Sequence, residues 1–125
     1  MLKKISLIAT IAMVTWTIFL FTSDGRDWFV YDWIFNMWKG FDVVLSIFLA
    51  FLTYGLFEKR KYVKFLAPVI FGMVITDWIF NIQLWIYAGY NLLEPRFIFS
   101  FIGAAIVIYF FYWFTKKCVK DTSKI

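Results

Sequence analysis

The chain has 125 residues, of which 63% are hydrophobic, 25% are aromatic and only 17% are charged, and its net charge at neutral pH is +5. Soluble domains are about half apolar and about a quarter charged, so this composition excludes an ordinary soluble globular protein. It fits a single membrane domain, because lipid tolerates aromatic surface that a small soluble fold could not bury.

The sequence has no histidine and a single cysteine, Cys118. One cysteine cannot form an intrachain disulfide, and without histidine the chain lacks the usual ligand for haem, copper and zinc. No phosphate-binding loop, nucleophile elbow or zinc-protease motif is present. We therefore expect no metal site, no cofactor and no catalytic residues, and a chain that is not an enzyme on its own.

The first predicted transmembrane helix covers residues 5–22. Lys3 and Lys4 followed by an apolar run are also typical of a secretory signal peptide. The run is long for a signal peptide, contains Trp16 and ends without a clear cleavage site of small residues. We therefore expect this helix to be retained.

Residues 26–39 form a segment that is too polar to span a bilayer and too aromatic for a free loop. Its three tryptophans are interspersed with charged residues, Trp28, Trp33 and Trp38 with Asp27, Asp32 and Lys39. This pattern is typical of an amphipathic segment that lies in the membrane interface. Gly40 is the predicted end of the segment.

Three further apolar stretches predict transmembrane helices over residues 41–57, 65–90 and 97–115. Their lengths bracket the about 20 residues that a helix needs to cross the hydrocarbon core. A basic loop separates the second stretch from the third, and a tight connection with Pro95 separates the third from the fourth. The sequence therefore predicts an all-α integral membrane protein, one domain of residues 1–125, with four transmembrane helices and an interfacial amphipathic segment between helices 1 and 2.

The basic residues are concentrated in three clusters, which fall on one side of a chain with four spans. Cytoplasmic loops carry an excess of Lys and Arg, so we expect a multi-pass protein of the cell membrane with both its N- and C-termini in the cytoplasm. Topology and anionic lipid headgroups account for the positive charge, and nucleic acid is not an expected partner. The clusters are Lys3 and Lys4; Lys59, Arg60, Lys61 and Lys64; and Lys116, Lys117, Lys120 and Lys124.

Asp77 lies 12 residues from the start of the third predicted span. That distance is about 18 Å at the α-helical rise, near the bilayer midplane, where a carboxylate should face protein or water. Asn81 lies on the same helical face one turn later, and Ser46 lies at a similar depth in the second span. Two interpretations stay open: an intramembrane proton or cation site of these three residues, or hydrogen bonds that hold the helices together.

Asp42, Ser46 and Thr53 lie on one stripe of the second span, which predicts either a polar seam or a packing seam between the second and third spans. Asp42 is at the outer end of that span. Together with Asp27 and Asp32 it is expected to give the outer interface an excess of carboxylates. The spacing of these acids matches no calcium-binding loop, so we expect solvated side chains.

The fourth span has a face of small side chains, formed by Ser100, Gly103 and Ala104. Small residues on one face let helix backbones approach closely within a membrane. We expect this face to pack against another helix, either of this chain or of a partner.

Residues 25–33 read Gly-Arg-Asp-Trp-Phe-Val-Tyr-Asp-Trp and lie between the first and second spans. This stretch resembles the Gly/Asp/aromatic and Asp-Trp segment in a hydrophobic subunit of membrane copper monooxygenases, especially the archaeal ammonia-oxidising type. Those enzymes bind copper largely through histidine, which this chain lacks. The resemblance therefore implies an accessory subunit of such an oxidoreductase.

A second stretch, from Asp77 through Trp85 to Glu94-Pro95-Arg96, is similar in layout to small membrane domains of the lycopene-cyclase type. The Pro-x-Glu-Glu motif of that family is not reproduced, because Glu94 precedes Pro95 and stands alone. The resemblance implies a membrane enzyme of terpenoid or lipid type that uses Asp77 or Glu94.

The sequence supports two main hypotheses of function besides that enzyme. Small size, the missing catalytic motifs and the aromatic spans favour a non-catalytic accessory subunit of a larger membrane complex. Its partners are expected to be other integral membrane subunits and lipid, in a hetero-oligomer rather than a homo-oligomer. The alternative is a homo-oligomeric small transporter or channel that uses Asp77 as an intramembrane proton or cation site.

Overall fold

Four long α-helices make up the fold in the computed structural model, which describes residues 1–22 and 32–123. No strand occurs in these two ranges, and each helix is long and apolar enough to cross a membrane. The predicted all-α fold with four spans is therefore confirmed. The helices are α1 (Leu2–Thr22), α2 (Asp32–Phe57), α3 (Val63–Tyr87) and α4 (Pro95–Thr122).

The second helix begins nine residues earlier than the predicted span, and it runs through Gly40 without a break. The predicted end at Gly40 is therefore wrong, and residues 32–39 are the first turns of α2 rather than a separate segment. Continuation of the helix buries Ile34 and Trp38, which are 1% and 6% exposed. That burial outweighs the cost of about 1 kcal/mol for an interior glycine. The rest of the predicted interfacial segment, residues 26–31, lies outside the described residues.

The bounds of the other helices follow local chemistry. Pro95 begins α4, where its missing N–H leaves no hydrogen bond unmade. At its other end α4 extends seven residues beyond the predicted span, because the lysines after Thr115 have good helix propensity and Cys118 is fully buried. The end of α2 approaches the start of α3 closely at Gly55, where an added Cβ would lie only 2.7 Å from Val63 Cγ2.

The helices pack in sequence order, α1 against α2, α2 against α3 and α3 against α4, and α1 touches α4 only over a short stretch. The main apolar cluster includes Leu49, Leu52 and Ile70, together with Cys118. Large apolar side chains cover the outside of the bundle, among them Phe65 at 68% exposed and Phe99 at 73%. An apolar exterior around a packed interior is what a bundle surrounded by lipid requires.

Both termini and the α2–α3 turn lie at one end of the bundle. Leu2, Arg60 and Thr122 line the same cavity there, so the parts of the three basic clusters within the described ranges come together in space. We call this end, formed by residues 1–4, 58–64 and 116–123, the basic end. The shared end agrees with the charge pattern of the sequence, whereas its placement in the cytoplasm stays a prediction.

Candidate functional site

A cavity of about 530 Å³ lies between the four helices, and we call it the acid cavity. Its volume is in the range of small-ligand sites, about 300–1,000 Å³. Among the described residues, two aspartates and one asparagine supply its polar lining, and three tryptophans and a phenylalanine supply its aromatic lining. These are Asp42, Asp77 and Asn81, and Trp16, Trp38, Trp78 and Phe111.

The residues at the centre of the acid cavity lie at one depth in the bundle. Trp16, Asp42, Asp77 and Val107 are each 14 or 15 residues from the end of their helix at the basic end. At the α-helical rise this is about 21–22 Å from the basic end, less than the about 30 Å thickness of the hydrocarbon core of a bilayer. Antiparallel helices therefore bring together residues that are far apart in sequence.

Asp77 and Asn81 are joined by a hydrogen bond within α3. The Asn81 Nδ2–H donates to Asp77 Oδ1 at 2.9 Å and also to the Asp77 backbone carbonyl at 3.0 Å. In the part of the chain that the structure describes, neither side chain has a hydrogen bond to another helix. The structure thus places the pair on the wall of a cavity, and interhelical bonding does not account for it.

Asp42 lies inside the bundle rather than at the outer interface where the sequence placed it. It is 7% exposed, and its Oδ2 accepts a hydrogen bond from the Trp16 indole N–H at 3.1 Å. The reason is the early start of α2, which puts Asp42 in the helix interior instead of at a helix end. Of the other two predicted outer acids, Asp32 is the first residue of α2 and Asp27 lies outside the described residues.

Ser46 does not join Asp77 and Asn81. Its hydroxyl faces α1, 3.2 Å from the Thr17 hydroxyl, and it does not line the acid cavity. Nearer the basic end, the Thr53 hydroxyl lies 2.7 Å from that of Ser6 on α1. Ser46 and Thr53 therefore face α1, contrary to the prediction, and only Asp42 of the predicted seam shares a cavity with α3.

None of the described residues that line the acid cavity has a cationic side chain. Lys39 lies one turn from Asp42 along α2, but its ammonium group sits over the Phe35 ring, 4.3 Å from the centroid. The one ion pair between described residues joins Arg96 to Glu94 at 3.0 Å, on the surface. The two carboxyl groups of the cavity therefore have no counter-ion from the described chain.

The aromatic lining is the part of the site that sequence reasoning missed. Tryptophan rings present a negative face that attracts cations, more strongly where water is excluded. Trp78 follows Asp77 directly, Trp38 is one turn before Asp42, and Trp16 matches both acids in depth. Counting residues from the basic clusters would have aligned Trp16 with Asp77, because the two lie at similar distances from Lys4 and Lys64. Within the described residues no group of three acidic, cysteine or histidine side chains could hold a metal ion.

The small-residue face of α4 is only partly packed within the chain. Ala104 is 5% exposed, but a Cβ added at Gly103 would meet no atom within 4 Å. The Ser100 hydroxyl donates to the Arg96 carbonyl of its own helix at 2.9 Å. No other described helix therefore packs closely against Gly103.

No protein-family model, no curated protein and no solved structure matches this chain. Its class is defined by the fold and the site: a four-helix bundle suited to spanning a membrane, with an acidic, aromatic-lined cavity in its interior. The resemblance of residues 25–33 to a copper monooxygenase subunit stays a prediction.

Proposed function

We propose that this chain is a small membrane transporter or channel, acting as a homo-oligomer, that binds a cation or a proton in the acid cavity. One observation carries the proposal: Asp42 and Asp77, from neighbouring helices, line a single cavity to which the described residues contribute no cationic side chain. Ionisable residues at such depth are costly and mark ion or proton pathways in membrane proteins.

Electrostatics explains what the two carboxyl groups could bind. Two carboxylates that share one cavity inside a helix bundle repel each other more strongly than in bulk water, because the protein interior has a lower dielectric constant. A shared proton or a bound cation removes that repulsion. The rings of Trp16, Trp38 and Trp78 add cation–π attraction, which suits a weakly hydrated cation such as an organic ammonium ion.

The slight contact between α1 and α4 supports access to the cavity. Helices α1 and α2 pack extensively, as do α3 and α4, whereas the fourth side of the bundle is loosely closed. Ala9 and Ala12 are small residues in the α1 part of the lining, whereas α4 contributes Val107 and the larger Phe111. A small cation could enter there after modest separation of the two helices.

The test is flux into liposomes that contain the purified chain, with an entrapped pH-sensitive dye for protons and radiolabelled methylammonium for an organic cation. We expect Asp77→Asn and Asp42→Asn each to lower flux at least about tenfold, because each removes a charge that stabilises the bound ion by more than about 1.4 kcal/mol. Glu94→Gln is the matched control, since it removes an acid of an exposed ion pair far from the cavity. Wild-type liposomes that behave like empty ones in both assays would contradict the proposal.

A second candidate is the accessory subunit of a membrane complex, and Tyr109 favours it. Tyr109 is 73% exposed on α4 and lies seven residues before Lys116, or about 10 Å deeper in the bilayer than that lysine. Tyrosine prefers the headgroup region, so a hydroxyl at this depth calls for a protein partner on this face. The copper-monooxygenase resemblance would make that partner an oxidoreductase subunit.

The accessory role predicts that mild-detergent purification at native abundance recovers other integral membrane subunits with the chain, identified by mass spectrometry. We expect Tyr109→Leu to weaken their recovery because it removes the hydroxyl. Phe99→Leu is the control on the same helix, at equal exposure but without a hydroxyl. Recovery of the chain alone, in one oligomeric state, would favour the transporter instead.

A further inference from the structure

The basic end of the bundle contains a second cavity, of about 440 Å³, which we call the basic-end pocket. It lies between the start of α1, the α2–α3 turn and the end of α4. Among the described residues, four cationic side chains and one acidic side chain line it: Lys3, Lys59, Arg60 and Lys117, with Asp121. Each of the three basic clusters of the sequence contributes at least one of these cations.

The cations of the basic-end pocket have no ion-pair partner in the described ranges. No salt bridge joins any of them to Asp121, and the Lys3 ammonium group lies over the exposed Phe57 ring, 5.6 Å from the centroid. Clustered positive charges repel one another unless an anion is present. The net positive charge of the lining therefore favours an anionic ligand.

The backbone at Lys59 supplies an independent argument. Lys59 has φ of 52°, and it is the one non-glycine residue with positive φ in the part of the chain that is described. It follows the end of α2, where the Arg60 N–H donates to the Gly55 carbonyl at 2.8 Å, as in helix ends that normally carry glycine. A lysine is less favourable than glycine in this conformation, by about 1–2 kcal/mol, and residues held in such conformations cluster at ligand sites. Here the side chain adds a charge to the pocket.

Apolar residues complete the lining of the basic-end pocket, among them Leu2, Leu56 and Val63. A pocket that combines cations with an apolar floor, at the end of membrane-spanning helices, fits the head of a lipid whose acyl chains continue along the bundle. The volume suits a phosphate-containing headgroup rather than a whole lipid. We propose that the basic-end pocket binds the phosphate group of an anionic phospholipid.

The test is lipid binding by the full chain, measured as retention of phosphatidylglycerol through detergent purification and as the rise in unfolding temperature when that lipid is added. Arg60→Gln and Lys3→Gln remove pocket charges, whereas Lys61→Gln and Lys4→Gln are matched controls from the same clusters that do not line the pocket. We expect each pocket variant to weaken binding about fivefold, and the controls to change it little.

Lys59→Gly keeps the test informative, because it removes a pocket charge and relieves the backbone strain together. We expect this variant to bind the lipid less tightly and yet to unfold at a higher temperature than wild type in neutral detergent. Equal loss of binding in pocket and control variants would overturn the proposal, because it would mean diffuse charge attraction. The proposal would also be overturned if inorganic phosphate alone raised the unfolding temperature as much as the lipid does. That result would indicate a site for a soluble anion.

Discussion

Asp42 and Asp77 differ in what holds each carboxyl group in place. The Asp42 carboxyl accepts a hydrogen bond from Trp16 on α1, and therefore links two helices. The Asp77 carboxyl accepts its bond from Asn81, one turn away on the same helix. A movement of α3 relative to α1 and α2 would carry Asp77 and Asn81 together while Asp42 stays with Trp16. The two acids are thus arranged so that helix motion changes their separation.

The hydroxyl of Thr53 is another single group whose contribution can be isolated. It donates to the Leu49 carbonyl at 2.9 Å, which leaves its oxygen to accept the Ser6 hydroxyl at 2.7 Å across the α1–α2 seam. Thr53→Val should therefore destabilise the fold by about 0.6–2 kcal/mol, the usual worth of a hydrogen bond between membrane helices. The measurement is unfolding in mixed micelles titrated with a denaturing detergent.

Thr15 provides the control for this prediction. Its hydroxyl donates to the Ile11 carbonyl of the same helix at 2.8 Å and is exposed. Thr15→Val should change the unfolding free energy by less than about 0.5 kcal/mol, because no other helix loses a partner. Equal destabilisation by the two variants would show that the seam contributes nothing beyond local helix propensity.

At the scale of helices, hydrophobicity and charge were enough to predict four spans and their order, because a bilayer fixes the length of an apolar helix. The start of α2 was missed, since residues 32–39 are polar enough to suggest an interfacial segment and only their burial against the bundle makes them part of the span. That error moved Asp42 to the outer surface in the prediction. The depth of a residue along its helix does not say which neighbouring helix its side chain faces. Depth alone therefore could not predict that Asp42 lines the cavity while Ser46 faces α1.

Which helix a side chain faces depends on how the helices pack, and the sequence alone does not determine that packing. The stripe of Ser46 and Thr53 was expected to face the third span, but it meets matching hydroxyls on α1, at Thr17 and Ser6. Such hydroxyl pairs are visible in the sequence only after the helices are aligned in depth. The pair of Asp77 and Asn81 was easier to predict, because a spacing of four residues within one helix fixes their proximity.

At the scale of the whole molecule, the shared position of three basic clusters predicts the orientation in the membrane. The basic end should lie in the cytoplasm and the α3–α4 connection on the opposite side. Lys61→Cys places a thiol at an exposed position of the basic end, and Leu93→Cys places one at the other end, where the side chain is 80% exposed. A membrane-impermeant maleimide applied to intact cells should label the cysteine at position 93 and not the one at position 61.

The single native cysteine provides an internal control for the labelling. Cys118 is fully buried, so it should react slowly in the folded protein from either side and quickly after denaturation in detergent. Permeabilised cells should allow the cysteine at position 61 to react as fast as the one at position 93. Labelling of position 61 alone in intact cells would reverse the orientation and leave the bundle intact, whereas labelling of both would contradict membrane crossing between the α2–α3 turn and the α3–α4 connection. The first result would place the basic-end pocket on the outer leaflet, and its anionic lipid would then have to be one that is exposed there.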